Sequence, residues 1–319
     1  VPDRAVELSK TEGTFMKYAL RLVMAAGVVL GIGGAAFAQG TPDDGRSAGG
    51  GACDKNIYNC LATPNPLPKV DTVWMEEMTW MDVRDAMKDG KTTVIIATGG
   101  VEPNGPWMAL GKHNWILEKN CEALARKLGN ALCAPVVKFT PEGSIEPRVG
   151  HMLTMGTISL GAATFEAMLT DIVRSYKVNG FKQIFLIGDS GGNEAGMAGA
   201  AAKTNGGGTL VAHIPEYYDY ASVHAMLVEK GYAKKGSQGS DGLHDDFAIS
   251  TELIAIDPRL VRLEERIKAG MATIDGNPLN KDKAEAMNKE ITELRVNKTI
   301  EGIKKAIAAG ETVPTVKKE

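Results

Sequence analysis

From about Trp74 onward, the apolar positions follow two alternating rhythms. Thr79 with Asp82 three residues on has the form of a capping box, and Gly90 closes the helix it opens. Thr92 to Thr98 is β-branched at every position but Ala97, the pattern of a buried strand. Asn114 to Leu128 carries Ile116, Leu117, Cys121, Leu124 and Leu128 at helical spacing, closed by Gly129. Leu132 to Phe139 predicts a second strand, Phe165 to Val178 a helix, Ile184 to Ile187 a third strand, Thr209 to Ile214 a fourth and Tyr220 to Lys230 a helix. Buried strands alternating with helices predict an α/β fold, a three-layer α/β/α sandwich around a mostly parallel sheet.

The ends read differently. Residues 1–38 form a signal-peptide region whose start is placed at Met16: a basic opening, an apolar run from Leu22 to Ala35, then Ala36-Phe37-Ala38 before Gln39. The run is shorter than the roughly 20 residues of a membrane span, so no stable membrane insertion is expected after cleavage. Residues 39–72 are rich in Gly, Ser, Pro and Asn and predict a linker or extended arm. The α/β domain is placed at 73–270, and a helical extension at 271–319. In that extension Met287, Ile291, Leu294, Ile303 and Ile307 form an apolar stripe, which suits packing on its own domain or a subunit contact.

Composition narrows the function classes. A net charge of −3 and 6% aromatic residues give no case for nucleic acid. Export implies an oxidising compartment, in which Cys53 and Cys60 are placed to form a local disulfide. Cys121 and Cys133, in apolar surroundings, read as free core cysteines.

Candidate chemistry follows the strands. The first leads into Gly99-Gly100-Val101-Glu102-Pro103-Asn104-Gly105-Pro106-Trp107 and Gly111-Lys112-His113, the second towards Glu142 and His151, and the third into Gly188-Asp189-Ser190-Gly191-Gly192-Asn193. His244 stands in a later loop. Parallel strands deliver these loops to one edge, where ligands bind in such folds. Gly188, Ser190 and Gly192 fit the G-x-S-x-G elbow of serine hydrolases, which would need partners such as Asp219 and His244. Glutamate, histidine and aspartate from several loops also suit a divalent ion.

Four ordered segments resemble the creatininase (creatinine amidohydrolase) family: "ATGGVEPNGPWMALGKHN", "GHMLTMGTISL", "GFKQIFLIGDSGGN" and "HDDFAISTELIAIDPRLV". The resemblance implies a small-molecule substrate, metal-dependent hydrolysis of an amide-type, often cyclic, C–N bond, and a homo-oligomer. Family ligand positions fall on Asn104, Ser190 and Ile249, so the implied site is a remodelled one. It has one Zn²⁺ or Mn²⁺ on Glu102 and His113, with Asp189 as third ligand or water-orienting group. His244 is the implied proton donor, and Gly191 and Gly192, beside Asn193, offer amides to an oxyanion. Asn104, Trp107 and His151 are expected in the pocket. The alternatives are a serine hydrolase using Ser190 and a metal-free protein that binds a small solute without turnover.

Overall fold

The computed structural model describes residues 56–240 and 244–311. The expected signal region, most of the linker and Cys53 lie outside the described residues. The chain divides after Pro64 into two units, of which the first is described only from residue 56. In the first, Ile57–Asn59 is a short 3-10 turn capped by the Asn56 side chain.

The second unit is built on four parallel strands: β1 (Thr93–Thr98), β2 (Ala131–Cys133), β3 (Gln183–Gly188) and β4 (Leu210–His213). Their order is β2-β1-β3-β4. Helices α1 (Trp80–Lys88), α2 (Lys112–Leu128), α3 (Ala162–Val178), α4 (Glu194–Thr204), α5 (Tyr220–Glu229), α6 (Phe247–Ile256), α7 (Leu263–Lys268) and α8 (Lys281–Glu311) surround it. A minor hairpin pairs β5 (Thr273–Ile274) with β6 (Asn277–Pro278).

The three layers follow from side-chain alternation. Val94 and Ile96 of β1 with Ile184 and Leu186 of β3 pack against Phe165, Leu169 and Val173 of α3 and Met197 of α4. Their neighbours Ile95, Ala97, Phe185 and Ile187 point the other way, against Leu117 and Leu124 of α2 and Val296 and Ile303 of α8. Both faces are covered, which is why the strands lack polar alternation. A second core lies between α5, α6 and α8 and includes Leu227, Phe247, Leu253, Met287 and Ile291. The apolar stripe of α8 therefore packs on its own chain, spanning both cores.

Two expectations are corrected. The second strand ends at Cys133 rather than Phe139, because Pro135 has no N–H to give the ladder; pairing returns only at Val137, whose amide donates to Ala97 O at 2.9 Å. Cys121 and Cys133 are not free: they form a disulfide joining α2 to β2, with Cα atoms 6.2 Å apart. Cys60 is also disulfide-bonded. No helix among the described residues is long and apolar enough to cross a membrane.

Candidate active site at the strand ends

The loop after β1 is held open by close backbone packing. A Cβ at Gly99 would meet Asn114 Oδ1 at 2.0 Å, and one at Gly100 would meet Glu142 Oε1 at 2.1 Å. Asn114 bonds the amide and carbonyl of Gly100, and Asn193 donates to Gly99 O at 2.8 Å, locking the β1 and β3 turns together. This seats Glu102, Asp189 and the start of α2 side by side.

Glu102 is the hub. Its Oε1 accepts from Lys112 Nζ at 2.6 Å and lies 2.8 Å from His113 Nε2. His113 Nδ1 faces Asp189 Oδ2 at 2.8 Å. Asp189 Oδ1 accepts from Tyr220 at 3.0 Å and from Arg295 of α8 at 2.8 Å. Arg295 also approaches Glu252 Oε2 at 3.5 Å. The result is a buried chain of alternating charge from Glu252 through Arg295, Asp189, His113 and Glu102 to Lys112.

Charge states follow from these contacts. Burial alone would raise the Glu102 carboxyl, but His113, Glu142 and Lys112 hold it well below the usual carboxylate range. Burial opposes a charged His113, yet its bonds to Asp189 and Glu102 keep it above the ordinary histidine value. For Asp189, burial is outweighed by the Arg295 charge and the His113 bond, and it stays low. Glu142 is pushed up to about 9 by burial and by the Glu102 carboxylate beside it, so it carries a proton at neutral pH.

A cavity of about 600 Å³ opens above this chain, with Ser190, Gly191, Gly192, Tyr218, Tyr220 and His244 among its lining residues. Trp107 is half-buried. Asn104 is buried, with its Oδ1 2.6 Å from Lys112 Nζ. Among the described residues no imidazole hydrogen-bonds Ser190. Asp219, the candidate triad acid, instead caps α5 and pairs with Lys298.

The expected metal set of Glu102, His113 and Asp189 is arranged differently. Both nitrogens of His113 face carboxylates, so it offers an ion no lone pair. The ligand atoms that do converge belong to Glu102, His151 and His244, all within 4.8 Å of one another. Glu102 Oε2 is buried without a hydrogen bond among the described groups, and His151 Nδ1 closes on it. The rings of His151 and His244 meet edge to face at 4.7 Å. Burial and the Lys112 charge lower the His244 pKa, which favours the neutral, ligating imidazole. One carboxylate oxygen and two imidazole nitrogens within reach of one another fit one zinc- or manganese-type ion.

Sequence reasoning passed over Lys112, Glu142, Tyr220, Glu252 and Arg295 as site residues. For Arg295 a signal existed: Met287, Ile291, Arg295, Thr299 and Ile303 recur every four residues, and all five are buried. A charge on that stripe needs a buried partner.

The family model described as creatininase, creatinine amidohydrolase, matches residues 76–294. The chain belongs to the creatininase family. Solved structures agree in fold. A creatinine amidohydrolase (creatininase) crystal structure is 22% identical with a TM-score of 0.54, covering 77% of this chain and 100% of that one. A structure described as "Creatininase Mn" has 19% identity and a TM-score of 0.51, with the same coverage. A glutamate-to-glutamine creatininase mutant of Zn-Zn type has the same four values. No curated protein matches the chain. The creatininase match stops one residue short of Arg295, so the anchor of Asp189 lies just beyond it.

Proposed function

We propose that this creatininase-family chain is an exported amidohydrolase that cleaves an amide-type C–N bond, cyclic amides included, with one divalent ion on Glu102, His151 and His244. The carrying observation is the convergence of Glu102 Oε2 with the imidazole nitrogens of His151 and His244 at the wall of a cavity. A bound divalent ion supplies Lewis acidity towards a carbonyl and acidifies water to near-neutral pKa. The chain's own groups do the rest. Glu102 is oriented by Lys112 and His113. Asp189 positions His113. Gly191 and Gly192 at the cavity wall offer backbone amides to a developing oxyanion. His244, expected as proton donor, stands in the ligand group, which leaves Glu142 as a group holding a proton at neutral pH. Its Oε2 lies 3.2 Å from His151 Nδ1.

Export is supported by the signal-like N-terminus and by the Cys121–Cys133 disulfide, a bond of oxidising compartments. A homo-oligomer is part of the proposal, supported by the loop carrying His151, which exposes Val149, Leu153 and Met155 for a subunit contact to cover. The test is hydrolysis of a panel of lactams, cyclic ureides and linear amides by chelator-treated protein with and without zinc or manganese. Turnover that needs the ion and vanishes in Glu102→Gln is expected; ion-independent turnover refutes the reading. The metal-free binding alternative draws on the charge chain, which closes without an ion. It predicts ligand-induced thermal stabilisation and no turnover.

A further inference from the structure

We infer that the Lys112 ammonium is a resident cation filling the inner half of this site, so that the protein takes no more than one divalent ion, at the outer Glu102–His151–His244 position. The inference deepens the proposed metal reading and rests on it for the outer ion.

Lys112 is fully buried, and its Nζ lies 2.6 Å from both Glu102 Oε1 and Asn104 Oδ1. Two oxygens around a compact cation are the donors a hard metal ion would use. The lysine gains nothing from its place in the helix. It is the first residue of α2, where the helix dipole disfavours positive charge. Taking an ammonium out of water is costly unless oxygens replace that water, and here the site supplies them.

The geometry also closes the inner position to anything else. Glu102 Oε1 already has two partners, Lys112 Nζ at 2.6 Å and His113 Nε2 at 2.8 Å. A carboxylate oxygen has about two lone-pair sites, so both are taken. Oε2 is the oxygen turned to the outer position, where His151 Nδ1 meets it and His244 lies close by. An ion on the inner side would have to displace the ammonium. Lys112 thus holds Glu102 in its ligating pose before any ion arrives.

The experiment counts zinc per chain, by elemental analysis after equilibrium dialysis, in the mature wild-type protein and in Lys112→Ala. One zinc in the wild type and two in the variant are expected, because the vacated position keeps Glu102 Oε1 and Asn104 Oδ1. A wild-type count of zero with one in the variant would sink the outer metal reading but uphold the role of Lys112. Two zincs in the wild type, or equal counts in both proteins, overturn the inference. Should Lys112→Ala fail to fold, lysine-labelled ¹⁵N NMR of the wild type decides. A protected ammonium resonance that persists on adding zinc supports the resident cation, and its loss on adding zinc overturns it.

Discussion

Arg295 places Nη1 2.8 Å from Asp189 Oδ1, and the two side chains are 2% and 0% exposed. One residue belongs to the last helix and the other to the turn after β3, 106 positions apart. The guanidinium also lies 4.4 Å from the Tyr220 ring centroid and 5.3 Å from that of Tyr217. Removing one member of such a pair strands the other without water. Arg295→Ala is therefore expected to lower unfolding stability by about 3–5 kcal/mol in urea melts. A loss below about 1 kcal/mol would show that α8 does not anchor Asp189.

Glu252 gives a pH prediction. Burial is the main cause that pushes its carboxyl up to about 7, against a partly opposing Arg295, with Asp189 and Asp246 also acting on it. The folded state therefore binds a proton more tightly than the unfolded chain. The stability contribution is full below the unfolded value near 4.5 and is lost as pH rises to about 7. The total is about 3 kcal/mol. Urea melts at pH 5 and pH 8 should differ less for Glu252→Gln than for the wild type; an unchanged difference would contradict the assignment.

The Cys121–Cys133 bridge closes a short loop, the two cysteines lying 12 positions apart in the chain. Loop-closure entropy assigns such a bridge about 3 kcal/mol. Cys121→Ala combined with Cys133→Ala should lose about that much, and alkylation of the untreated protein should label neither cysteine. Labelling of either would restore the free-thiol reading.

Signal cleavage is checked by intact mass of protein exported by a bacterial host. A mature chain beginning at Gln39 is expected, and recovery of an uncleaved N-terminus in the exported fraction would count against the proposed route.

The layers were legible because each central strand is covered on both faces, so strands and helices differ sharply in rhythm. Glu102, Asp189, Ser190, Gly191, Gly192 and His244 were legible as neighbours because glycine-rich turns at parallel strand ends share one edge, and all six line the cavity. The exchange of partners inside the site was not. Lys112 reads only as part of the loop before His113, and its contact with Glu102 needs the folded chain to be seen. That contact, with Asp189 on the other side, turns His113 from an expected ligand into a bridge between two carboxylates. His151, expected only in the pocket, meets Glu102 because the second-strand loop folds back over it. The disulfide was missed because Cys121 sits on a regular apolar helix stripe, which gives no hint that its sulfur faces a strand.

Calorimetric titration of zinc into chelator-stripped mature protein decides whether Glu102, His151 and His244 together hold one divalent ion. The expected result is one equivalent bound by the wild type, with affinity reduced at least tenfold by His244→Ala in a chain that still folds. No zinc binding by the wild type, or identical binding by His244→Ala, would contradict it.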